Sequence, residues 1–220
     1  MVEKDITKPA LVIVDLQNDF CGGGALAVPD ADRVVPIINR IAPLFSRVIA
    51  TRDWHPTGHV SFASSHPGKR PLDVVRHWSG DQTLWPDHCV RGSKGADFHP
   101  GFDPSPINLI VHKGSDPDLD SYSAFLENDH RTPTGLEHYL KGLGIRELYL
   151  CGLATDFCVF YSAMDAVQMG FAVTLVRDAT AGVDAPAGSV ERAIREMTAA
   201  GVVLADSQTV VARSEAEATA

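Results

Sequence analysis

Short β-branched segments alternate along this chain with segments of helical periodicity, and this alternation restricts the fold more than any other feature. Apolar, strand-like runs occupy residues 10–15, 47–51, 107–112, 147–151, 171–176 and 202–205. Helical spacing of apolar residues occurs at 33–46, 134–142, 156–169 and 187–200. Such alternation is typical of parallel strands joined by helices that cover both faces of the sheet. We therefore predict an α/β fold: a single doubly wound domain with a six-stranded, mostly parallel sheet and helices on both faces.

The composition fits one ordinary globular domain. Of the 220 residues, 45% are hydrophobic and 21% are charged, which excludes disordered, collagen-like and coiled-coil proteins. Because domains commonly span roughly 100–200 residues, we predict one domain over residues 1–207. The Ala/Glu-rich residues 208–220 are expected to form a frayed tail.

The charge balance restricts the partners. The 28 acidic residues outnumber the 19 basic ones, the net charge is −9, and no dense Lys/Arg run occurs. We therefore expect no nucleic-acid partner and no membrane partner, and no apolar run approaches the ~20 residues that span a bilayer. The charged N-terminus lacks an apolar signal region, so we expect a cytoplasmic protein whose four cysteines are reduced. The sequence leaves the oligomeric state open.

One long segment, residues 53–106, interrupts the alternation. It contains 7 of the 14 prolines, 6 of the 9 histidines and all three tryptophans. It follows the second predicted strand, at the sheet edge where open α/β folds bind ligands. Within it lie Asp53, His55, His59 and His88, whose carboxylate and imidazole groups suit Zn²⁺, Fe²⁺ or Mn²⁺. Each histidine taken alone is typical of a solvated loop, but four candidates on one loop favour a metal site.

Two other predicted strands end in residues that can carry chemistry. Asp15 closes the first strand, and the three glycines at 22–24 permit close approach of the backbone to a ligand. Lys113 closes the strand at 107–112. Taken singly, Asp15 is also typical of a turn cap and Lys113 of a solvated strand end. Because both lie at the same edge of the predicted sheet, we expect them to pair.

Cys158 is the strongest candidate for a nucleophile. It follows the strand at 147–151 and lies in the first turn of a predicted helix, where free N–H groups lower the pKa of a thiol and can stabilise an oxyanion. The alternative is a small buried hydrophobe, which is our interpretation of Cys151. A proton acceptor at Asp15 and a cation at Lys113 would complete the requirements of a thiolate nucleophile.

These motifs resemble those of the nicotinamidases, within the isochorismatase-like cysteine hydrolase superfamily. The resemblance extends over nearly the whole chain, and it rests on the segments Val-Asp15-Leu-Gln-Asn-Asp-Phe-Cys, Asp53-Trp-His-Pro-Thr-Gly-His59-Val-Ser-Phe, Trp85-Pro-Asp-His88-Cys-Val, His112-Lys113-Gly and Gly152-Leu-Ala-Thr-Asp-Phe-Cys158-Val. It implies an amidohydrolase that converts nicotinamide to nicotinate and ammonia through a cysteine thioester, in NAD salvage. The loop histidines narrow the resemblance to nicotinamidases, since many relatives lack the metal.

The resemblance implies a role for each candidate at the reacting end of the site. The implied triad is Asp15, Lys113 and Cys158. The implied metal ligands are Asp53, His55 and His88, with His59 binding directly or through water. We predict one divalent ion, Zn²⁺, with Fe²⁺ or Mn²⁺ as alternatives.

The resemblance also implies how the substrate is held. A cis peptide at Leu153–Ala154 would direct the N–H groups of Ala154 and Cys158 into an oxyanion hole. The implied lining of the aromatic-ring pocket is Phe20, Leu26, Trp85 and Tyr122. Phe157 precedes the nucleophile at a position where the family varies, and its role is left open.

Three rival interpretations are distinguishable by experiment. A related amidase would act on maleamate or a carbamoyl amine. A metallohydrolase would generate hydroxide on its metal and use Cys158 only for packing. A ligand-binding module would bind nicotinamide without releasing ammonia.

Overall fold

The computed structural model describes residues 8–218. The strands are β1 (Ala10–Val14), β2 (Val48–Asp53), β3 (Val74–His77), β4 (Gly80–Thr83), β5 (Leu109–Lys113), β6 (Glu147–Leu153), β7 (Ala172–Ala181) and β8 (Val203–Ala205). The α-helices are α1 (Val34–Ile41), α2 (Leu136–Gly142), α3 (Cys158–Gln168), α4 (Ser189–Ala199) and α5 (Ser207–Ala218). No helix within this described part of the chain is long and apolar enough to cross a membrane.

Six strands form one sheet in the order β5-β2-β1-β6-β7-β8, and every neighbouring pair is parallel. Strand residues alternate between the two faces. Leu11 and Ile13 pack with α1 and α5, whereas Val12 and Val14 pack with α2, α3 and α4. The predicted α/β class, the six strands and the coverage of both faces are therefore confirmed, and the sheet is wholly rather than mostly parallel.

The topology places the strands that carry the candidate residues side by side. β5, β2, β1 and β6 are consecutive in the sheet, and their carboxyl ends share one edge. Asp53 and Lys113 are the last residues of β2 and β5, and Asp15 directly follows β1. Cys158 begins α3, after a turn of four residues that follows β6. The four side chains therefore converge from four neighbouring strands.

Two segments differ from their predicted secondary structure. The segment 53–106 contains the antiparallel hairpin β3–β4, which lies outside the main sheet. α1 ends at Ile41, earlier than predicted, because Pro43 lacks an N–H group and the chain continues as a 3₁₀ turn over Ala42–Leu44.

The expected frayed tail is wrong over most of its length, since α5 continues through Ala218. The Asp206 carboxylate caps the helix by accepting a hydrogen bond from the N–H of Thr209 at 2.9 Å. Val210 is buried in the core, and the Arg213 guanidinium donates to Glu147 at 2.7 Å. These tertiary contacts supply the stability that the Ala/Glu-rich composition does not predict. Residues 219 and 220 lie outside the described residues.

Candidate active site

Three of the predicted residues meet around one buried ammonium. The Nζ atom of Lys113 lies 2.8 Å from Oδ2 of Asp15 and 3.5 Å from Sγ of Cys158. It also donates to a carboxylate oxygen of Asp53 and to the carbonyl of Ser121 at 3.2 Å. Lys113 and Asp15 are completely buried, so neither charge is screened by water.

Local backbone geometry aims the Asp15 carboxylate at this point. Asp15 leaves β1 with a φ of 47°, a left-handed conformation that is uncommon for a residue with a side chain. The hydroxyl of Thr51 donates to Oδ1 of Asp15 at 2.6 Å and accepts from its main-chain N–H at 3.1 Å. Gly152 brings β6 close to β1, because a Cβ atom there would lie 2.1 Å from the carbonyl oxygen of Val14. Asp15 is thereby fixed beside the turn that leads to Cys158.

The electrostatics separate the two carboxylates into different roles. Burial raises the pKa of Asp15 above its usual range, although the Lys113 ammonium opposes this shift. Burial also favours a higher pKa for Asp53, but Lys113 and His55 outweigh this effect and hold the pKa of Asp53 well below its usual range. Burial works against the charge of Lys113, yet Asp15 and Asp53 raise the pKa of the ammonium well above its ordinary value. Asp53 is thus a permanent anion, and Asp15 is the better proton acceptor.

Burial raises the pKa of the Cys158 thiol well above its usual range, against the opposing effect of Lys113. Burial therefore outweighs the helix N-terminus, which we expected to lower this pKa. The oxygen of Asp15 and the sulfur of Cys158 lie within 4.8 Å of each other. A protonated thiol next to a carboxylate of raised pKa suits proton transfer at the moment of attack.

The turn before Cys158 presents two main-chain N–H groups. The Leu153–Ala154 peptide is cis, as the resemblance implies. The carbonyl of Ala154 accepts hydrogen bonds from Phe157 at 3.0 Å and Val159 at 3.1 Å. Within residues 8–218 the N–H groups of Ala154 and Cys158 have no such acceptor, so they are available to an oxyanion at the thiol.

Asp53, His55 and His88 form a second group whose ligand atoms lie within 4.8 Å of one another. Nδ1 of His55 bonds to the carbonyl of Gly114 at 2.9 Å, and Nδ1 of His88 bonds to the carbonyl of Pro86 at 2.8 Å. Because a carbonyl only accepts, each Nδ1 carries a proton, and Nε2 is the nitrogen left to bind a metal ion. Nε2 of His55 is buried without a hydrogen-bond partner. Tautomers fixed in this way are typical of metal ligands, so this set fits a divalent ion.

His59 belongs to a further group, with His55 and Asp120, whose ligand atoms also lie within 4.8 Å of one another. Its ring stacks on His55 with centroids 4.2 Å apart, and Nδ1 bonds to the Ser61 hydroxyl at 2.7 Å. Nε2 faces the carbonyl of Leu119 at 3.3 Å. Burial, reinforced by the neighbouring His55, lowers the pKa of His59 to about 4. His59 is therefore a neutral ring whose two nitrogens are both engaged elsewhere.

A narrow apolar cavity connects the thiol with the metal-site candidates. It is lined by Phe20, Leu26, Val28, Asp53, Trp85, His88, Asp120, Tyr122, Ala154, Phe157, Cys158 and Val183. The indole N–H of Trp85 donates to the hydroxyl of Tyr122 at 3.1 Å. Phe157 packs edge-on against Trp85 with ring centroids 5.1 Å apart. The four residues that the resemblance implies, and Phe157 with them, thus surround a slot suited to a flat ring.

Sequence reasoning missed two buried residues of the site. Gln17 bonds to the main chain of Asp53, and its position within the quoted Val-Asp15-Leu-Gln motif was the available signal. Asp120 lines the cavity and accepts from the Gln82 amide at 2.8 Å. Asp120 lies in an acidic loop that also contains Asp116 and Asp118, so composition did not distinguish it.

Comparisons with known proteins agree with this geometry. The Isochorismatase domain family matches residues 9–209. The nicotinamidase of Acinetobacter baylyi is 44% identical over 94% of this chain and 97% of its own length. The solved Acinetobacter baumanii nicotinamidase/pyrazinamidase is 48% identical, with a TM-score of 0.90 over 93% of this chain and 98% of that one.

A more distant solved structure bears on the metal group. The pyrazinamidase of Pyrococcus horikoshii, solved in complex with zinc, is 35% identical, with a TM-score of 0.74 over 90% of this chain and 99% of that one. The family match and these identities confirm the resemblance stated from the motifs. The chain therefore belongs to the isochorismatase family and, within it, to the nicotinamidase and pyrazinamidase group.

Proposed function

We propose that this protein is a nicotinamidase, an amidohydrolase that converts nicotinamide to nicotinate and ammonia in NAD salvage. The observation that carries the proposal is the position of the Cys158 thiol. It lies 3.5 Å from the Lys113 ammonium, beside Asp15, at one end of an aromatic-lined slot. Relatives of 44% and 48% identity that are named nicotinamidases support the choice of substrate.

The first half of the reaction forms a thioester. Asp15 takes the proton of the Cys158 thiol while Lys113 stabilises the developing thiolate, and the sulfur attacks the carboxamide carbon of the bound ring. The N–H groups of Ala154 and Cys158 stabilise the oxyanion of the tetrahedral intermediate. Asp15 then returns its proton to the departing nitrogen, so the C–N bond breaks and ammonia leaves.

The second half regenerates the enzyme. A water molecule attacks the thioester carbon, and Asp15 accepts its proton as general base. The same two N–H groups stabilise the second tetrahedral intermediate. The C–S bond breaks, the sulfur recovers the proton from Asp15, and nicotinate is released.

We propose that Asp53, His55 and His88 hold one divalent ion, with Zn²⁺ as the first choice and Fe²⁺ or Mn²⁺ as alternatives. Three observations support this set: the three ligand atoms lie within 4.8 Å of one another, Nε2 of His55 is buried without a hydrogen-bond partner, and the pKa of Asp53 is held well below its usual range by Lys113 and His55 against the effect of burial. The ring of His59 stacks on His55 and helps to fix the orientation of this proposed ligand. When bound, the ion supplies a Lewis acid that orients the pyridine nitrogen of nicotinamide.

The lining of the slot argues against the closest rival substrates. A maleamate-type substrate carries a carboxylate that requires a cationic partner, typically arginine. The described residues that line the cavity include no arginine. An uncharged aromatic amide therefore fits this pocket better.

The test is ammonia release from nicotinamide by the purified protein. We expect Cys158→Ala to abolish release and to prevent accumulation of an acyl-enzyme on rapid quenching. Cys151→Ala is the matched control, because Cys151 is equally buried but lies inside β6, away from the slot. Full activity of Cys158→Ala would overturn the thioester mechanism in favour of a metallohydrolase, and an inert wild type that retains metal would overturn the substrate.

A further inference from the structure

The side chain of Gln17 is bound to both main-chain groups of Asp53. Oε1 of Gln17 accepts from the N–H of Asp53 at 2.8 Å, and Nε2 donates to the carbonyl of Asp53 at 2.8 Å. The second hydrogen of Nε2 goes to the carbonyl of Ala96 at 3.0 Å. Gln17 is completely buried, and both amide hydrogens and the amide oxygen are engaged. The amide therefore has one orientation that satisfies it.

Gln17 occupies the place where a neighbouring strand would otherwise be. The last register pair between β1 and β2 joins Ile13 to Ala50, and β2 continues to Asp53 without β1 beside it. On the opposite side, Asp53 is in register with Lys113 of β5. The side-chain amide of Gln17 thus supplies the hydrogen bonds that the main chain of β1 would supply if β1 continued beside Asp53.

The consequence concerns the orientation of Asp53. Its carboxylate serves two groups at once, because one oxygen receives the Lys113 ammonium and Oδ2 faces His55 at 3.6 Å and His88 at 3.8 Å. A small rotation of the main chain at Asp53 would move Oδ2 away from the two imidazoles. β5 holds one side of this residue, and only the Gln17 amide holds the other among the described residues.

We propose that Gln17 is a positioning residue of the metal centre, which acts through the main chain of Asp53 and sets the affinity for the divalent ion. This inference rests on the metal ligands of the proposed function. Gln17 is not among the residues that line the slot, and its side-chain amide bonds to the main chain of Asp53 and Ala96, so the effect of changing that amide passes through Asp53. A purely structural role would instead change stability and leave metal affinity unchanged in the folded protein.

The experiment measures Zn²⁺ affinity by competition with a chromophoric chelator, and the absorption spectrum of the Co²⁺-loaded protein. Gln17→Met keeps the length of the side chain and removes all three hydrogen bonds. Gln17→Glu keeps the shape but places a carboxylate oxygen against the carbonyls of Asp53 and Ala96. We expect each variant to lose about 10–100-fold in Zn²⁺ affinity, the usual range for residues that orient metal ligands, and to show an altered Co²⁺ spectrum.

The matched control is Asn18→Asp, the same amide-to-carboxylate change one residue later. The Asn18 side chain donates to the carbonyl of Lys94 at 2.7 Å, and within residues 8–218 it forms no hydrogen bond to Asp53, His55 or His88, so we expect wild-type affinity. Cooperative urea unfolding of each metal-free protein identifies the variants that are folded. If Gln17→Glu is not folded, the test rests on Gln17→Met. Wild-type Zn²⁺ affinity in folded Gln17→Met would overturn the proposal, as would a wild type that binds no Zn²⁺.

Ammonia release from nicotinamide is measured separately from Zn²⁺ affinity. A wild type whose Zn²⁺ affinity depends on Gln17 but which leaves nicotinamide intact would support the role of Gln17 and overturn the proposed substrate. An active wild type whose Zn²⁺ affinity is insensitive to Gln17→Met would support the substrate and overturn the role of Gln17. The two failures are therefore distinguishable.

Discussion

At the residue scale, the site depends on one completely buried ammonium that serves two carboxylates and a thiol. Taking these charges out of water is costly, and the cost is met only while all partners are present. The sequence indicated Asp15 and Lys113 because each lies where a strand ends, and Cys158 because it lies in the first turn of a helix. They could not predict that Lys113 also binds Asp53, since that contact requires the register between β2 and β5.

Lys113→Met should therefore destabilise the protein as well as inactivate it. The change leaves the carboxylates of Asp15 and Asp53 buried without their cation, so we expect the free energy of unfolding to fall by about 3–5 kcal/mol. Urea denaturation of the metal-free protein measures this loss. Lys141→Met is the control, because Lys141 forms an exposed ion pair with Glu137 and should lose at most about 0.5 kcal/mol. Equal losses at the two positions would contradict this account of the buried cluster.

At the scale of elements, the sequence predicted the six sheet strands because they are short apolar runs, and it predicted four of the helices because apolar residues recur in them at helical spacing. It failed where stability comes from tertiary contact. α5 has no strong apolar face, and the hairpin β3–β4, apart from the buried Gln82, consists of exposed and half-buried residues within a proline-rich segment. The role of His59 as a ligand, direct or through water, stays a prediction, and only the fold reveals that its ring nitrogens bond to Ser61 and to the carbonyl of Leu119.

Val210 supplies a direct test of α5 as a structural element. Val210→Ala removes two buried methyl groups from the contact between α5 and the core, so we expect the free energy of unfolding to fall by about 2 kcal/mol. Gln208→Ala, at an exposed position of the same helix, should change it by less than about 0.5 kcal/mol. Thermal or urea unfolding compares the two. If Val210→Ala were as neutral as Gln208→Ala, the frayed-tail prediction would be right after all.

At the scale of the whole molecule, the proposed metal ligands are the last residue of β2 and two histidines of the following segment, His55 and His88, so ion binding joins parts of the chain that are distant in sequence. A ligand that binds only the native state stabilises it in proportion to the logarithm of its concentration. Binding of the metal ion and the folding equilibrium are therefore linked.

Zinc should raise the unfolding temperature of the wild type. At a free Zn²⁺ concentration about 100 times the dissociation constant, the expected stabilisation is about 2.7 kcal/mol, or roughly 5–10 °C in Tm for a chain of this size. A chelator should reverse the shift. His88→Ala lacks one proposed ligand, so zinc should move its Tm much less than that of the wild type in differential scanning calorimetry. An identical zinc-dependent shift in both proteins would place the ion elsewhere.

The order of the strands in the sheet also bears on how the protein is made. Asp15, Asp53 and Lys113 precede Cys158 in the chain, and β6 lies beside β1. During synthesis the ribosome therefore releases the base, the anion and the cation first, and the nucleophile last. A nascent chain that ends before β6 lacks the Cys158 thiol and therefore cannot form a thioester with an amide substrate. Activity begins only when the centre of the sheet has closed.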